Sequence, residues 1–205
     1  MIDLYTVATG NGHRAGIMME ECGLPYKAHK YSMQGTEHKT EEYRKINPTQ
    51  TMPAIVDHDV PGGKPVVVGQ SSGILLYMAE KSGKLLPKDP VNRGRTYQWL
   101  MFALTDVAAI STGYFYAGTI GEAGAPAKDL FEQRLKHFLT IADKALGETK
   151  FLACDEFTIA DVAMYPVYFG RKALIEGWGG LPNLRRWGED VAARPGVIAG
   201  MKVAV

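Results

Sequence analysis

The stretch LLPKDPVN, residues 85–92, separates two regions of different character. Its two prolines remove backbone donors and fix φ, so neither a helix nor a strand runs through it. Before it, short patterns of two kinds alternate. IDLYTV is apolar and β-branched, HRAGIMMEEC has helical spacing, YKAHKYSM reads as a strand, and TEEYRKIN reads as a short charged helix. MPAIVDHDVPGGKPVVVG then sets two apolar runs around a Pro-Gly-Gly turn, a hairpin signal, and SSGILLYMAEKSGK is a helix closed by Gly83. The order βαβαββα predicts a four-stranded mixed sheet in a first domain, residues 1–84. Beyond the prolines strand patterns vanish. RGRTYQWLMFALTDVAAI, AKDLFEQRLKHFLTIADKAL, IADVAMYPVYFGRKAL and LRRWGEDVAA all read as helices, which predicts an all-helical second domain over residues 92–205.

Charge and composition remove several classes of partner. The 23 basic and 22 acidic residues are well mixed and leave a net charge of +1, so no broad field exists to hold nucleic acid or an anionic membrane. No apolar run approaches the roughly 20 residues of a bilayer span, and MIDLYTVATG has neither a basic lead nor an apolar signal core. A cytoplasmic protein without a membrane partner is expected. Cys22 and Cys154 are too few and too far apart for a disulfide framework or a zinc site, which suits a reducing compartment and predicts no metal. Cys22 follows Met18 by one helical turn and reads as a packed thiol.

Three stretches carry chemistry. In ATGNGHRAG, a strand breaks into Gly10, Asn11, Gly12 and His13 just before a helix, which offers backbone N–H groups and small polar side chains at a positive helix end suited to an anion. Thr9 and Asn11 either donate to that anion or only shape the turn, as Asn before Gly often does. In NPTQTMPAIV, Pro53 stands at the mouth of a strand, where a missing ladder donor calls for a special turn. A trans proline starting the strand satisfies this, and the rarity of cis X–Pro bonds, about 5–6%, favours it. A cis Met52–Pro53 bond satisfies it too, and would turn the backbone of Met52 outward to pair with an extended peptide. In GQSSGILLYMAE, Ser71 or Ser72 is a natural helix cap. Alternatively, Ser71 and the helix N–H groups hold a carboxylate while Gln70 accepts from a neighbouring ammonium.

Taken in order, YTVATGNGHR, INPTQTMPAIVD, GQSSGILLYMAEKSG and FLACDEFTIADVAMYP resemble the cytosolic glutathione S-transferase family over nearly the whole chain. The resemblance implies a thioredoxin-like α/β first domain with an all-α second domain, glutathione as co-substrate, and a homodimer. It implies a cis-proline at Pro53 that presents Met52 to the glutathione cysteine, and a Gln70–Ser71 pair that holds the γ-glutamyl end. FTIADVAMYP resembles the family's capping box, with Thr158 as cap and Asp161 reaching back to it. The opening turn lacks the Ser or Cys of other classes and is similar to the loop of the bacterial nu-class, disulfide-reducing subgroup, in which a Thr and an Asn, here Thr9 and Asn11, act on the thiol. Arg14 stands where that loop often has Lys. Tyr5 is a weaker candidate that reads as core, and His13 reads as a first-turn surface residue.

The chain also departs from the pattern. Thr51 occupies the place of a lysine that relatives use for the glycine carboxylate, and His38 and Lys39 are the nearest substitutes, their alternative being a solvated helix face. An arginine that holds a second glutathione in nu-class relatives has no secure match, with Lys128 or Arg134 as replacements. Tyr114, Phe115 and Tyr116 could stack on an aromatic substrate or simply pack. The expected function is a glutathione transferase whose bound thiolate attacks an electrophilic carbon or a disulfide. A disulfide or peroxide reductase with little conjugating activity is the alternative enzyme, and a non-catalytic binding module of the same fold the alternative outside enzymes.

Overall fold

The computed structural model describes all residues, 1–205, and divides into two compact units, Met1–Leu85 with Ala192–Val205, and Leu86–Val191. In the first unit the strands β1 (Ile2–Val7), β2 (Tyr26–Tyr31), β3 (Ala54–Asp57) and β4 (Val66–Gly69) form one sheet in the order β2-β1-β3-β4. β1 runs parallel to β2 and antiparallel to β3, and β3 and β4 form the expected hairpin. Helices α1 (Gly10–Cys22), α2 (Glu41–Ile46) and α3 (Ser71–Ser82) complete the βαβαββα order, and α3 ends on Gly83 at φ 67°, a left-handed cap.

Alternation along β1 divides its side chains between two faces. Ile2, Leu4 and Thr6 are fully or almost fully buried. On the opposite face, Tyr5 stacks on His29 with ring centroids 4.6 Å apart and meets Tyr43 edge-on. Tyr5 is thus a packing residue, and burial pushes its hydroxyl above the usual tyrosine range. Asp3, on the same face, accepts from His29 Nε2 and His58 Nε2 at 2.8 Å each, contacts that hold its carboxyl below the usual range.

The second domain was expected to run to residue 205, but its last segment belongs to the first unit. Helix α10 (Pro195–Val203), which has no strong periodic signal in the sequence, lies along α1. Gly16 and Gly200 let the two backbones touch: a carbon added at Gly200 would fall 2.3 Å from Ile17 Cα. Arg194 donates through Nε and Nη2 to the two carboxylate oxygens of Glu21 at 2.9 and 2.7 Å, a bidentate pair.

The second unit contains α4 (Pro90–Met101), a π-helical segment (Phe102–Val107), α5 (Ala108–Thr119), α6 (Ala125–Leu146), α7 (Ile159–Gly170), α8 (Lys172–Trp178) and α9 (Pro182–Ala192). Pro90 occupies the first turn of α4, where a missing N–H costs nothing, and Asp89 caps it by accepting from Asn92 N at 2.8 Å. The π segment keeps Pro90–Thr119 a single 30-residue helix, whose most apolar window has a mean hydropathy of 1.2 and is only 28% buried. Contrary to the sequence expectation, this helix is long and apolar enough to cross a bilayer by length and composition alone. The expectation missed it because Thr105 and Asp106 interrupt the apolar run without interrupting the helix.

Thr158 and Asp161 form the expected capping box at the start of α7. Asp161 is completely buried, and its oxygens accept from Leu152 N, Thr158 N, Thr158 Oγ1 and Trp187 Nε1 at 2.8–3.0 Å. Burial pushes its carboxyl above the ordinary range against the pull of those donors. Asp161 therefore joins the loop before α7, α7 itself and α9. Replacing it with Ala leaves two backbone N–H groups and an indole N–H buried without acceptors, at about 1–3 kcal/mol each. We expect Asp161→Ala to lower stability by about 3–5 kcal/mol and the thermal midpoint by roughly 6–15 °C. Circular dichroism melts check this, and a midpoint within about 2 °C of the parent would refute the role.

Candidate functional site

The antiparallel registers place three turns at one end of the sheet. Ala54 pairs with both Tyr5 and Gly69, so the residues before Ala54 run alongside the end of β1 and the start of the β4–α3 turn. Met52 and Pro53, Val7 to Asn11, and Gln70 and Ser71 are thereby brought together. The Met52–Pro53 peptide is cis and precedes the paired part of β3.

At the first turn, Thr9 is the N-cap of α1, its Oγ1 accepting from Gly12 N at 3.1 Å. Its own hydroxyl proton faces Val7 O at 3.5 Å, the limit of a hydrogen bond, and is available to an anion. Gly10 and Asn11 start the helix, so their N–H groups have no intrahelical acceptor. Gly12 is required by space, because an added carbon would lie 2.0 Å from Val7 O. Asn11 is exposed, and its Oδ1 accepts from Arg14 Nη1 and, at 3.2 Å, from Ser71 Oγ. Both hydrogens of its Nδ2 therefore point away from those two donors. His13 is half-buried rather than on the surface. Its ring bonds to the backbone of Met201 on α10, Nδ1 is buried without a partner, and burial pushes the imidazole below its usual range.

Ser71 is not the cap of α3. That position belongs to Gln70, which makes no side-chain cap bond, and Ser71 Oγ instead reaches across 60 residues of sequence to Asn11. Gln70 has φ 64° and ψ 130°, a conformation that a residue with a Cβ adopts only at a cost of about 1–3 kcal/mol. Such strain persists where the surrounding structure demands it, and here it lies beside the Asn11–Ser71 contact.

Thr51 serves the site through its backbone. Its carbonyl accepts from Asn47 Nδ2 at 2.7 Å and from Tyr43 Oη at 2.8 Å, while its hydroxyl meets Thr49 Oγ1 at 2.8 Å. Asn47, almost fully buried, also accepts from Thr49 N and Oγ1, and so fixes the loop that leads into Met52–Pro53. Asn47 was not among the expected site residues, although an Asn-Pro pair at the end of a short helix is a turn signal. His38 and Lys39 lie in a single 3₁₀ turn (Glu37–Lys39). The His38 carbonyl accepts from Gln50 Nε2 at 3.4 Å, which places this turn against the same loop. His38 Nδ1 is buried without a partner, and Lys39 is exposed.

In the second unit the three aromatic residues separate. Phe115 and Tyr116 are exposed, while Tyr114 lies under two cations, Lys128 at 5.2 Å and Arg171 at 5.0 Å from its ring centre. Arg171 is anchored to Ser111 Oγ and O at 3.1 and 2.9 Å. Arg134 stacks instead on Phe138. Nothing in FGRKAL marks Arg171 off from a solvated charge, so its place at Tyr114 is not legible in the sequence.

Family models match both units: the glutathione S-transferase N-terminal domain over residues 11–81 and the C-terminal domain over residues 99–195. The disulfide-bond oxidoreductase YghU of Escherichia coli is 32% identical, over 97% of this chain and 73% of its own length. A glutathione transferase family member from Pseudomonas fluorescens, solved with two glutathione bound, aligns with a TM-score of 0.90 at 33% identity, covering 98% of this chain and 92% of that one. A glutathione transferase from Pseudomonas putida, with one glutathione disulfide bound per subunit, aligns with a TM-score of 0.90 at 32% identity, covering 100% and 92%.

The strain at Gln70 can be tested by itself. Glycine adopts φ 64° freely but adds entropy to the unfolded chain, so Gln70→Gly should gain on the order of 1 kcal/mol net. A thermal melt of the isolated protein reads the change, and a midpoint at or below the parent's would show that position 70 stores no strain.

Proposed function

Since the chain belongs to the glutathione S-transferase family, we propose that the three converging turns bind glutathione and stabilise its thiolate for attack on a disulfide or an electrophilic carbon. The observation that carries this reading is the 3.2 Å contact between Ser71 and Asn11, which joins the start of α3 to the start of α1 in one polar surface. In this reading, Ser71 and the free N–H groups of α3 hold the γ-glutamyl carboxylate, and Gln70 accepts from the adjacent ammonium. Met52 pairs its backbone with the cysteine, and His38, with Lys39 beside it, takes the glycine carboxylate in place of the lysine that Thr51 replaces.

A free thiol titrates near 8.5, and only the thiolate is nucleophilic. Thr9 Oγ1, Asn11 Nδ2 and the N–H groups of Gly10 and Asn11 supply donors at the positive end of α1, where an anion is favoured. The thiolate then attacks one sulfur of a disulfide, forming a mixed disulfide and expelling the other sulfur as thiolate. A second glutathione thiolate attacks the mixed disulfide, giving glutathione disulfide and the second reduced thiol. With an electrophile carrying a leaving group, the same thiolate forms a thioether and the leaving group departs as an anion. Neither Cys22 nor Cys154, both buried and with thiols pushed up by burial, supplies the attacking sulfur. Their free state also suits the cytoplasm. Disulfide reduction is the reading that YghU's name favours.

The protein is proposed to act as a homodimer. Tyr97 and Met101, and further along Phe115 and Tyr116, are large apolar side chains exposed on the helix Pro90–Thr119, and covering them with a second copy removes that surface from water.

Asn11→Ala and Thr9→Ala should lower kcat on the order of ten- to a hundredfold while KM for glutathione changes by less than about threefold, since these donors act on the developing anion. Asn11→Ala should be the more severe, because the Thr9 oxygen is already committed to capping. Parallel assays with a small hydroxyalkyl disulfide and an aromatic halide measure both activities, and unchanged turnover in both variants would refute the assignment. Light scattering should report about twice the 22.4 kDa chain mass at micromolar concentration, and a monomer mass would overturn the dimer.

A further inference from the structure

Arg14 is the most deeply buried cation of the first unit, 3% exposed, and it lies one helical turn behind Asn11. Burial of a guanidinium without a purpose is costly, and here it brings the group down to about 10, still protonated at neutral pH. Its Nη1 donates to Asn11 Oδ1, the atom that also accepts from Ser71 Oγ. An amide has one acceptor oxygen and two donor hydrogens, and with the oxygen held from two sides the amide cannot flip. The flipped form would set N–H groups against a guanidinium and a hydroxyl. It would also turn an oxygen lone pair toward the space where an anion must sit.

We propose that Arg14 is a positioning residue for the thiolate: by donating to Asn11 Oδ1 it locks the amide with Nδ2 facing the glutathione sulfur. A cation on the oxygen also polarises the amide and strengthens its N–H groups as donors, as linked hydrogen bonds do. Ser71 contributes to the same lock, so the group that reads the γ-glutamyl end also helps to orient the donor at the thiol end. Arg14 itself touches neither end of glutathione in this arrangement. The inference rests on the proposed binding of glutathione at this site.

The test is a pH titration of the ultraviolet thiolate absorbance of glutathione bound to the full-length protein, with kcat and KM for disulfide reduction alongside. Arg14→Met should raise the thiol midpoint by about one unit and lower kcat roughly tenfold, with KM for glutathione within about twofold. Arg14→Lys, which keeps a charged donor, should recover most of both. In an Asn11→Ala background, Arg14→Met should move the midpoint little further, because the amide it orients is gone. Asn11→Asp carries the test should Arg14→Met fail to fold. It keeps an acceptor for Arg14 and so preserves the melting temperature, but presents oxygen instead of N–H to the sulfur and should raise the midpoint by more than one unit. A parental midpoint in Arg14→Met or in Asn11→Asp would overturn the role of Arg14, as would an undiminished Arg14→Met shift in the Asn11→Ala background. A parental midpoint in Asn11→Ala alone would overturn the underlying thiolate assignment instead.

Discussion

Helix α1 begins so close to the end of β1 that a single methyl group at position 12 would lie 2.0 Å from the Val7 carbonyl oxygen. That approach is the constraint on which the site depends. It brings the free N–H groups of the first turn beside the strand end and lets Thr9 cap the helix. It also points Asn11 toward the start of α3. On its other side α1 is held as closely, through Gly16 and Gly200, by a helix nearly two hundred residues later in the chain. A helix pinned on two sides at backbone contact has little freedom to tilt. The donors at its N-terminus are therefore set before any ligand arrives, which is what stabilising a developing charge requires.

Buried charge is used in different ways in the two units. Asp161, on α7, is a structural acceptor, surrounded by four donors that would otherwise be orphaned, and it fastens a loop and two helices. Asp57, at the end of β3 and completely buried, accepts from Tyr77 Oη at 2.7 Å and pairs with Lys81 at 2.8 Å, tying the sheet to α3. In both, the ionised group ends within the protein. Arg14 differs in that its bond to Asn11 passes on to an amide that is exposed. Of these three buried ions it is the one directly connected to a surface group with unused donors.

Some of this was legible in the sequence, for identifiable reasons. Period-two and helical patterns, the Pro-Gly-Gly turn and Gly83 are local signals, and each element they marked in residues 1–84 is present. The Thr158–Asp161 cap was legible because both partners lie within one turn. Helix α10 was missed, since PGVIAGMKV is short and glycine-rich and shows no clear apolar face until α1 is placed against it. RGRTYQWLMFALTDVAAI was legible as one helix, but Thr105 and Asp106 broke its apolar run, so its length as an apolar span was not legible. Asn47 was legible as part of an Asn-Pro turn, with partners two and four residues away, whereas Arg171 was invisible because its partner, Ser111, becomes a neighbour only through folding.

By itself, the sequence determined the fold class, the point where β/α alternation gives way to helices, and the turns from which a site could be built, because all of these are encoded within a few residues of one another. Which atoms of those turns face a ligand was decided only by the tertiary structure. Ser71 looked like a helix cap and became a partner of Asn11; Thr51 looked like a lost side-chain contact and acts through its carbonyl; His13 looked like a surface residue and is half-buried. In each case the role depends on a group brought near by packing, and a hydrogen bond extends only about 3 Å, a scale that sequence spacing does not specify.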